Sequence, residues 1–218
     1  MTYRKIVLVG ALSVGLLSGC FGEKPEGNLF VAFENATKQE KVLFEDAKEL
    51  ATLEKQGQEL YAQIITEGKE DNTAVAQKLD QAFSNVDKRE QVLKSEQDAL
   101  EKAQKKTESI QSNVEKIKDK KLQKQAKKVA EAYKNRYDTF QKMNESYIKS
   151  MKIEKELYKK LKVKETKLKE ISKKVQEVNQ STEEMQKEKE KFNTYTKEYN
   201  TRKLEFYKAA KIQIKEQK

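Results

Sequence analysis

From residue 29 onward, apolar residues return at spacings of three and four, and no stretch alternates with a period of two. That spacing puts them on one face of an α-helix and leaves no strand pattern. It predicts four helical segments, at about 29–67, 73–118, 119–161 and 166–215. Two of the breaks are written in turn chemistry, Gly68 to Asn72 and Lys162 to Thr166. The third rests on Asp119 as a helix cap, with one longer helix through it as the alternative. Leu79, Val86, Leu93, Leu100, Thr107 and Val114 repeat every seven residues in the second segment. A comparable three-four alternation runs from Leu168 to Ala210 in the fourth. A heptad repeat implies left-handed supercoiling, and short turns set sequential helices antiparallel. The expected fold is therefore all-α: an elongated up-down-up-down four-helix bundle with left-handed coiled-coil packing.

The polar residues on the apolar stripes test that arrangement. Glu40 and Glu54 interrupt the first segment, Arg89 and Glu96 the second, Arg136 the third, and Lys189 and Lys203 the fourth. If the first and fourth segments are antiparallel with their outer ends together, Glu40 falls level with Lys203 and Glu54 with Lys189. Two ion pairs in one register are expected, with Arg89 near the Glu54 level. The alternative is that these long side chains reach water from a narrow seam.

The first twenty residues follow a different pattern. Arg4 and Lys5 precede an apolar run from Ile6 to Leu17, which is shorter than the roughly 20 residues a membrane-spanning helix needs. The run ends in Leu17, Ser18, Gly19 and Cys20, and Cys20 is the only cysteine of the chain. This resembles the lipobox of bacterial lipoproteins. The resemblance implies cleavage before Cys20 and a diacylglycerol thioether on its sulfur, with or without an N-acyl chain on the new terminus. No other cofactor is expected. Residues 1–19 read as a lipoprotein signal peptide, residues 20–28 as the lipidated cysteine and a short tether, and residues 29–218 as the bundle. Two acyl chains suffice for stable attachment to a bilayer, so the expected location is the extracytoplasmic face of the cell membrane.

Composition narrows the chemistry. The 218 residues include no His, one Cys and one Pro, and 38% are charged. Without His the commonest general base and zinc ligand are missing. There is no Gly-x-Ser-x-Gly elbow and no Gly-rich phosphate loop. A non-enzymatic protein without a metal site is expected. The formal charge is +10, and it is unevenly placed. Residues 21–118 hold 15 Lys/Arg against 20 Asp/Glu, whereas residues 119–218 hold 29 against 16. The basic half suits a polyanion contacted diffusely, because lysine acts as a point charge and not as a bidentate fork. Outside a bacterial membrane that means teichoic acid or anionic head groups, and not nucleic acid. A solvated surface of Glu–Lys pairs is the alternative.

The aromatic residues allow two readings as well. Phe192, Tyr195, Tyr199, Phe206 and Tyr207, with Tyr133, Tyr137, Phe140 and Tyr147, fall mostly on helix faces where core packing is expected, and exposed stacking platforms for sugars are the alternative. Those nearest the tethered end leave open an aromatic rim beside the membrane. Val42, Leu43, Phe44, Leu50, Leu53, Ile64 and Ile65 widen the first apolar stripe. That width gives some support to a scaffold or regulator that docks a protein partner along a helix face.

Three segments carry a further resemblance: residues 87–96 (DKREQVLKSE), 119–126 (DKKLQKQA) and 192–200 (FNTYTKEYN), the last leading to Phe206 and Tyr207. Together with the lipobox they resemble the YkyA-like cell-wall-binding lipoproteins of Bacillus-type Gram-positive bacteria. The likeness runs over essentially the whole chain after Cys20. It implies a lipid-anchored helical bundle outside the cytoplasm; teichoic acid, suggested by the charge, and peptidoglycan are the candidate wall ligands. It brings no catalytic or ligand residues.

Replacing Cys20 with Ala removes the only thiol that can carry the lipid. The variant is expected to leave the membrane fraction or to remain unprocessed. Fractionation as tight as that of the wild type would overturn the lipobox reading.

Overall fold

The structure, a computed structural model, describes residues 24–67 and 73–213. The signal segment and the lipobox (Leu17, Ser18, Gly19, Cys20) lie outside the described residues. Six helices occur among the described residues: α1 (Pro25–Gln39), α2 (Val42–Glu67), α3 (Thr73–Lys105), α4 (Ile110–Lys116), α5 (Lys120–Lys162) and α6 (Leu168–Ala209). Among the described residues there is no strand. The helices make four long segments, α1 with α2, α3 with α4, α5, and α6, and these pack against each other.

The boundaries differ from expectation where local chemistry intervenes. The tether was expected to run to residue 28, but the helix starts at Pro25. Proline has no N–H to leave unsatisfied in a first turn, and its fixed φ suits the start of a helix. The first segment is interrupted at Glu40 and Lys41, where Leu43 N–H donates to the Glu40 carbonyl at 3.1 Å and Phe44 N–H to the Lys41 carbonyl at 3.3 Å. The second segment stops at Lys105. Thr107, expected in the heptad seam, instead turns its hydroxyl onto the Gln104 carbonyl at 2.6 Å, a bond that competes with helix. The seam passes from Ala103 to Ile110, Val114 and Ile117, all buried. Asp119 caps α5, its Oδ1 accepting from the N–H groups of Lys121 at 2.8 Å and Leu122 at 3.0 Å. A single helix through this point is therefore excluded. The fourth segment ends well before residue 215. Lys211 takes φ 56° and Ile212 N–H donates to the Tyr207 carbonyl at 2.9 Å. That six-to-one bond and the left-handed residue form a Schellman stop.

The chain divides into two compact units. One holds the described residues up to Phe44, Glu96–Gln141 and those from Glu190. Its core joins Leu29, Phe33, Ile110, Val114, Ala126, Val129, Tyr199 and Phe206. The other comprises Glu45–Ser95 and Lys142–Lys189. Its core joins Leu50, Leu53, Ile64, Leu79, Val86, Leu93, Met151 and Tyr158. Of the residues that widen the first stripe, Leu43, Leu50, Leu53 and Ile64 are buried, while Val42, Phe44 and Ile65 are exposed.

Within the second unit α2 and α3 approach closely at Gly57. A Cβ there would stand 2.9 Å from Asn85 Oδ1. Asn85 cannot easily move aside, because its amide donates to the Leu53 carbonyl at 2.9 Å and its Oδ1 accepts from Arg89 Nε at 3.0 Å. Alanine normally favours a helix over glycine by about 1 kcal/mol, while overpacking costs about 1–3 kcal/mol. Gly57→Ala is therefore expected to lower stability by about 1 kcal/mol in urea unfolding, reversing the usual preference. A stabilised variant would show that Asn85 yields.

Candidate functional site

The interior carries charge, and the buried cations Arg89, Arg136 and Lys203 each meet a carboxylate. In the first unit Lys203, 2% exposed, donates from Nζ to Glu34 Oε1 and to Thr37 Oγ1, both at 3.2 Å. Tyr207 Oη donates to the same Glu34 oxygen at 2.9 Å. Arg136 donates from Nη1 to Glu40 Oε1 at 2.8 Å and from Nε to Thr196 Oγ1 at 3.0 Å. Arg136 lies 5.1 Å from the Phe192 ring centre, and Lys203 lies 5.5 Å from that of Tyr199. Those distances suit cation–π contact.

In the second unit Arg89 Nη2 donates to both oxygens of Glu154 at 2.7 Å. Tyr158 Oη donates to Glu154 Oε1 at 2.7 Å and Tyr147 Oη to Glu54 Oε1 at 2.6 Å. Burial, and after it the charge of Glu54, holds the Tyr147 phenol well above the ordinary tyrosine range. Burial and then Glu34 do the same to Tyr207, and burial and then Glu40 to Tyr199. Tyr147 and Tyr207 therefore remain protonated donors to their carboxylates.

The expected partnerships are corrected by these contacts. Glu40 pairs with Arg136, and Lys203 pairs with Glu34. No ion pair joins Glu54 to Lys189 among the described residues; Glu54 takes its bond from Tyr147. The Glu54 charge raises and the Arg89 charge lowers the Tyr147 phenol. The register argument considered the first and fourth segments alone. A carboxylate inside a bundle also faces the third, and there Arg136 offers a fixed planar fork. Glu34 was missed because it lies off the main stripe. Phe30, Glu34 and Thr37 form a second line at helical spacing, and that was the available signal.

The aromatic residues in question are core. Phe192, Tyr199, Phe206, Tyr207, Tyr133, Tyr137, Phe140 and Tyr147 are buried, and Tyr195 is half-buried. They form neither sugar platforms nor a rim. Phe33, Tyr133 and Tyr199 pack edge-on in the first core.

Part of the charge imbalance is spent between helices. The basic half supplies Lys203 to Glu34, Arg136 to Glu40, Lys155 to Asp87 and Glu90, and Lys162 to Asp80. Other lysines of α5 and α6 stay exposed, Lys152, Lys159, Lys169 and Lys173 among them. Among the described residues no group of three or more His, Cys, Asp or Glu is placed to hold a metal ion. No described helix is long and apolar enough to cross a membrane.

Comparison with known proteins adds three findings. The profile of a family described as "YkyA: Putative cell-wall binding lipoprotein" matches residues 24–209. A relative from Bacillus subtilis (strain 168), titled "Uncharacterized lipoprotein YkyA", is 32% identical over 85 residues. That alignment spans 39% of this chain and 38% of the relative. No solved structure matches.

Breaking one buried pair leaves its partner charge desolvated, which costs about 3–5 kcal/mol, whereas removing both charges is far milder. Lys203→Met is expected to destabilise by that amount in urea unfolding. Adding Glu34→Gln is expected to restore much of the loss. A double variant as unstable as the sum of the two single variants would mean that Lys203 and Glu34 are not coupled.

Proposed function

The chain belongs to the YkyA family of lipoproteins, and from that premise we propose that it is a non-enzymatic, membrane-anchored protein that binds anionic wall polymer, with peptidoglycan as the second candidate. The anchor is the lipid on Cys20, which holds the helices at the membrane–wall interface. The binding surface is the exposed lysine face of α5 and α6, with Lys152, Lys159, Lys169 and Lys173 as representative contacts. One observation carries the reading: residues 119–218 hold 29 Lys/Arg against 16 Asp/Glu, and the interhelical pairs use only some of the excess. A polymer of repeating phosphates needs many weak, movable contacts, and exposed lysines supply them without a shaped pocket. Exposed Val42, Phe44 and Ile65 favour the alternative, docking of a protein partner along the first segment.

The test is co-sedimentation with purified Gram-positive cell walls. The chain from residue 20 onward, carrying Cys20→Ser so that no lipid is attached, is mixed with walls before and after removal of teichoic acid. The expected result is binding at about 0.05 M salt that falls steeply by about 0.5 M and is lost with the teichoic acid. Binding that survives both treatments would transfer the proposal to peptidoglycan. Absence of binding at low salt would overturn wall binding and favour the docked partner.

A further inference from the structure

Residues 116–128 contain seven lysines and one acid, Asp119. All seven lysines are exposed. Asp119 is already occupied as the α5 cap. None of the seven lysines forms an ion pair among the described residues. The opposite end of α5 is different, because there Lys155, Lys160 and Lys162 are each paired with acids. An uncompensated cluster of this density stands out even in a lysine-rich protein.

Its place in the first unit is defined by contacts. Asn28 Nδ2 donates to Asn113 Oδ1 at 3.3 Å, so α4 lies beside the first turn of α1. Leu29 and Phe33 share a core with Ile117, Ala126 and Val129. Further along, Glu40 of the first segment meets Arg136 of α5. Sixteen residues back from each of these lie Lys24 and Lys120. Both helical stretches advance about 1.5 Å per residue, so the start of α5 stands at the end of the unit where the described chain begins. The stop of α6 reaches the same end, with Tyr207 against Phe30, and brings exposed Lys208 and Lys211.

We infer that this lysine end is a docking surface for the anionic head groups of the membrane to which the chain is anchored. The location rests on the Cys20 lipid anchor proposed above. Four residue steps separate Cys20 from Lys24 and span at most about 14 Å. The head groups therefore lie within one or two screening lengths of the cluster, the screening length being about 8 Å at physiological salt. Polybasic segments at that distance are drawn to anionic lipid, and each lysine adds a few-fold to binding. The surface seats the unit on the bilayer and sets which of its ends faces the head groups.

The test uses the same unlipidated Cys20→Ser chain in flotation with vesicles of about one-third phosphatidylglycerol in phosphatidylcholine, and with phosphatidylcholine alone. Binding is expected only to the anionic vesicles and only at low salt. Lys120→Gln, Lys121→Gln, Lys124→Gln and Lys127→Gln together are expected to weaken it at least tenfold or so. Exchanging four exposed lysines elsewhere, Lys88, Lys94, Lys142 and Lys187, is expected to weaken it far less. Circular dichroism confirms that both variants fold. Equal loss in both sets, or no binding to anionic vesicles at about 0.05 M salt, would overturn the proposal. So would a cluster variant that loses wall binding but keeps vesicle binding, which would assign the lysines to the polymer. The mass of the membrane-extracted wild-type protein reads the Cys20 lipid separately. Absent acylation with intact vesicle binding would sink the anchor and leave the lysine surface standing.

Discussion

A charge taken out of water must find its opposite, and in this protein that requirement sets which helix faces meet. Lys203, Arg136 and Arg89 are all buried. Each would be prohibitively costly alone. Each is matched by a carboxylate from another segment, and Glu34, Glu40, Glu54 and Glu154 each accept a bond from a tyrosine. Leucine and valine slide past one another with small changes in energy, so an apolar seam alone tolerates several offsets. A Lys203–Glu34 or Arg136–Glu40 pair tolerates one. The same contacts are poor candidates for added stability, since a well-packed apolar group is often as good. Their contribution is to the choice of arrangement.

That constraint also explains part of the charge segregation. An acidic first half and a basic second half attract along the faces where they meet, and Lys155, Lys162, Arg136 and Lys203 all reach into the acidic half. Arg89 reaches the other way, to Glu154. A net positive charge on the second half therefore has two uses. Some of it fastens helices together. The remainder stays in solvent, where residues 116–128 carry the densest uncompensated share.

Helices, their rough lengths and the apolar faces were legible in the chain because periodicity is a local property. Asp119 marked the α5 start through its own side chain. The interruptions at Glu40 and around Thr107 were not legible. In both stretches the apolar spacing resumes in phase after a single polar residue, and one of them turns on the Thr107 hydroxyl back-bonding to Gln104. The Schellman stop near Lys211 was also hidden, because a lysine in the left-handed region carries none of the signal that a glycine would. The sequence placed seven charged residues on the apolar stripes; Glu40, Arg89, Glu96, Arg136 and Lys203 are buried, while Glu54 and Lys189 are half-buried. It did not identify their partners.

By itself, then, the sequence determined an all-helical fold, the uneven charge and several of the positions where polar groups enter the core. Only the tertiary structure decided who meets whom. Pairing between helices depends on the rotation of each about its axis and on its offset along the others. Neither quantity is encoded in the spacing of residues within one helix. Glu40 could be matched on paper to a lysine in the fourth segment, yet in three dimensions the nearer charge is Arg136 of the third. The exposed lysines follow the same logic. Their number is a property of the sequence, but their gathering at the end where the chain enters is a property of the packing of α1, α4 and α5.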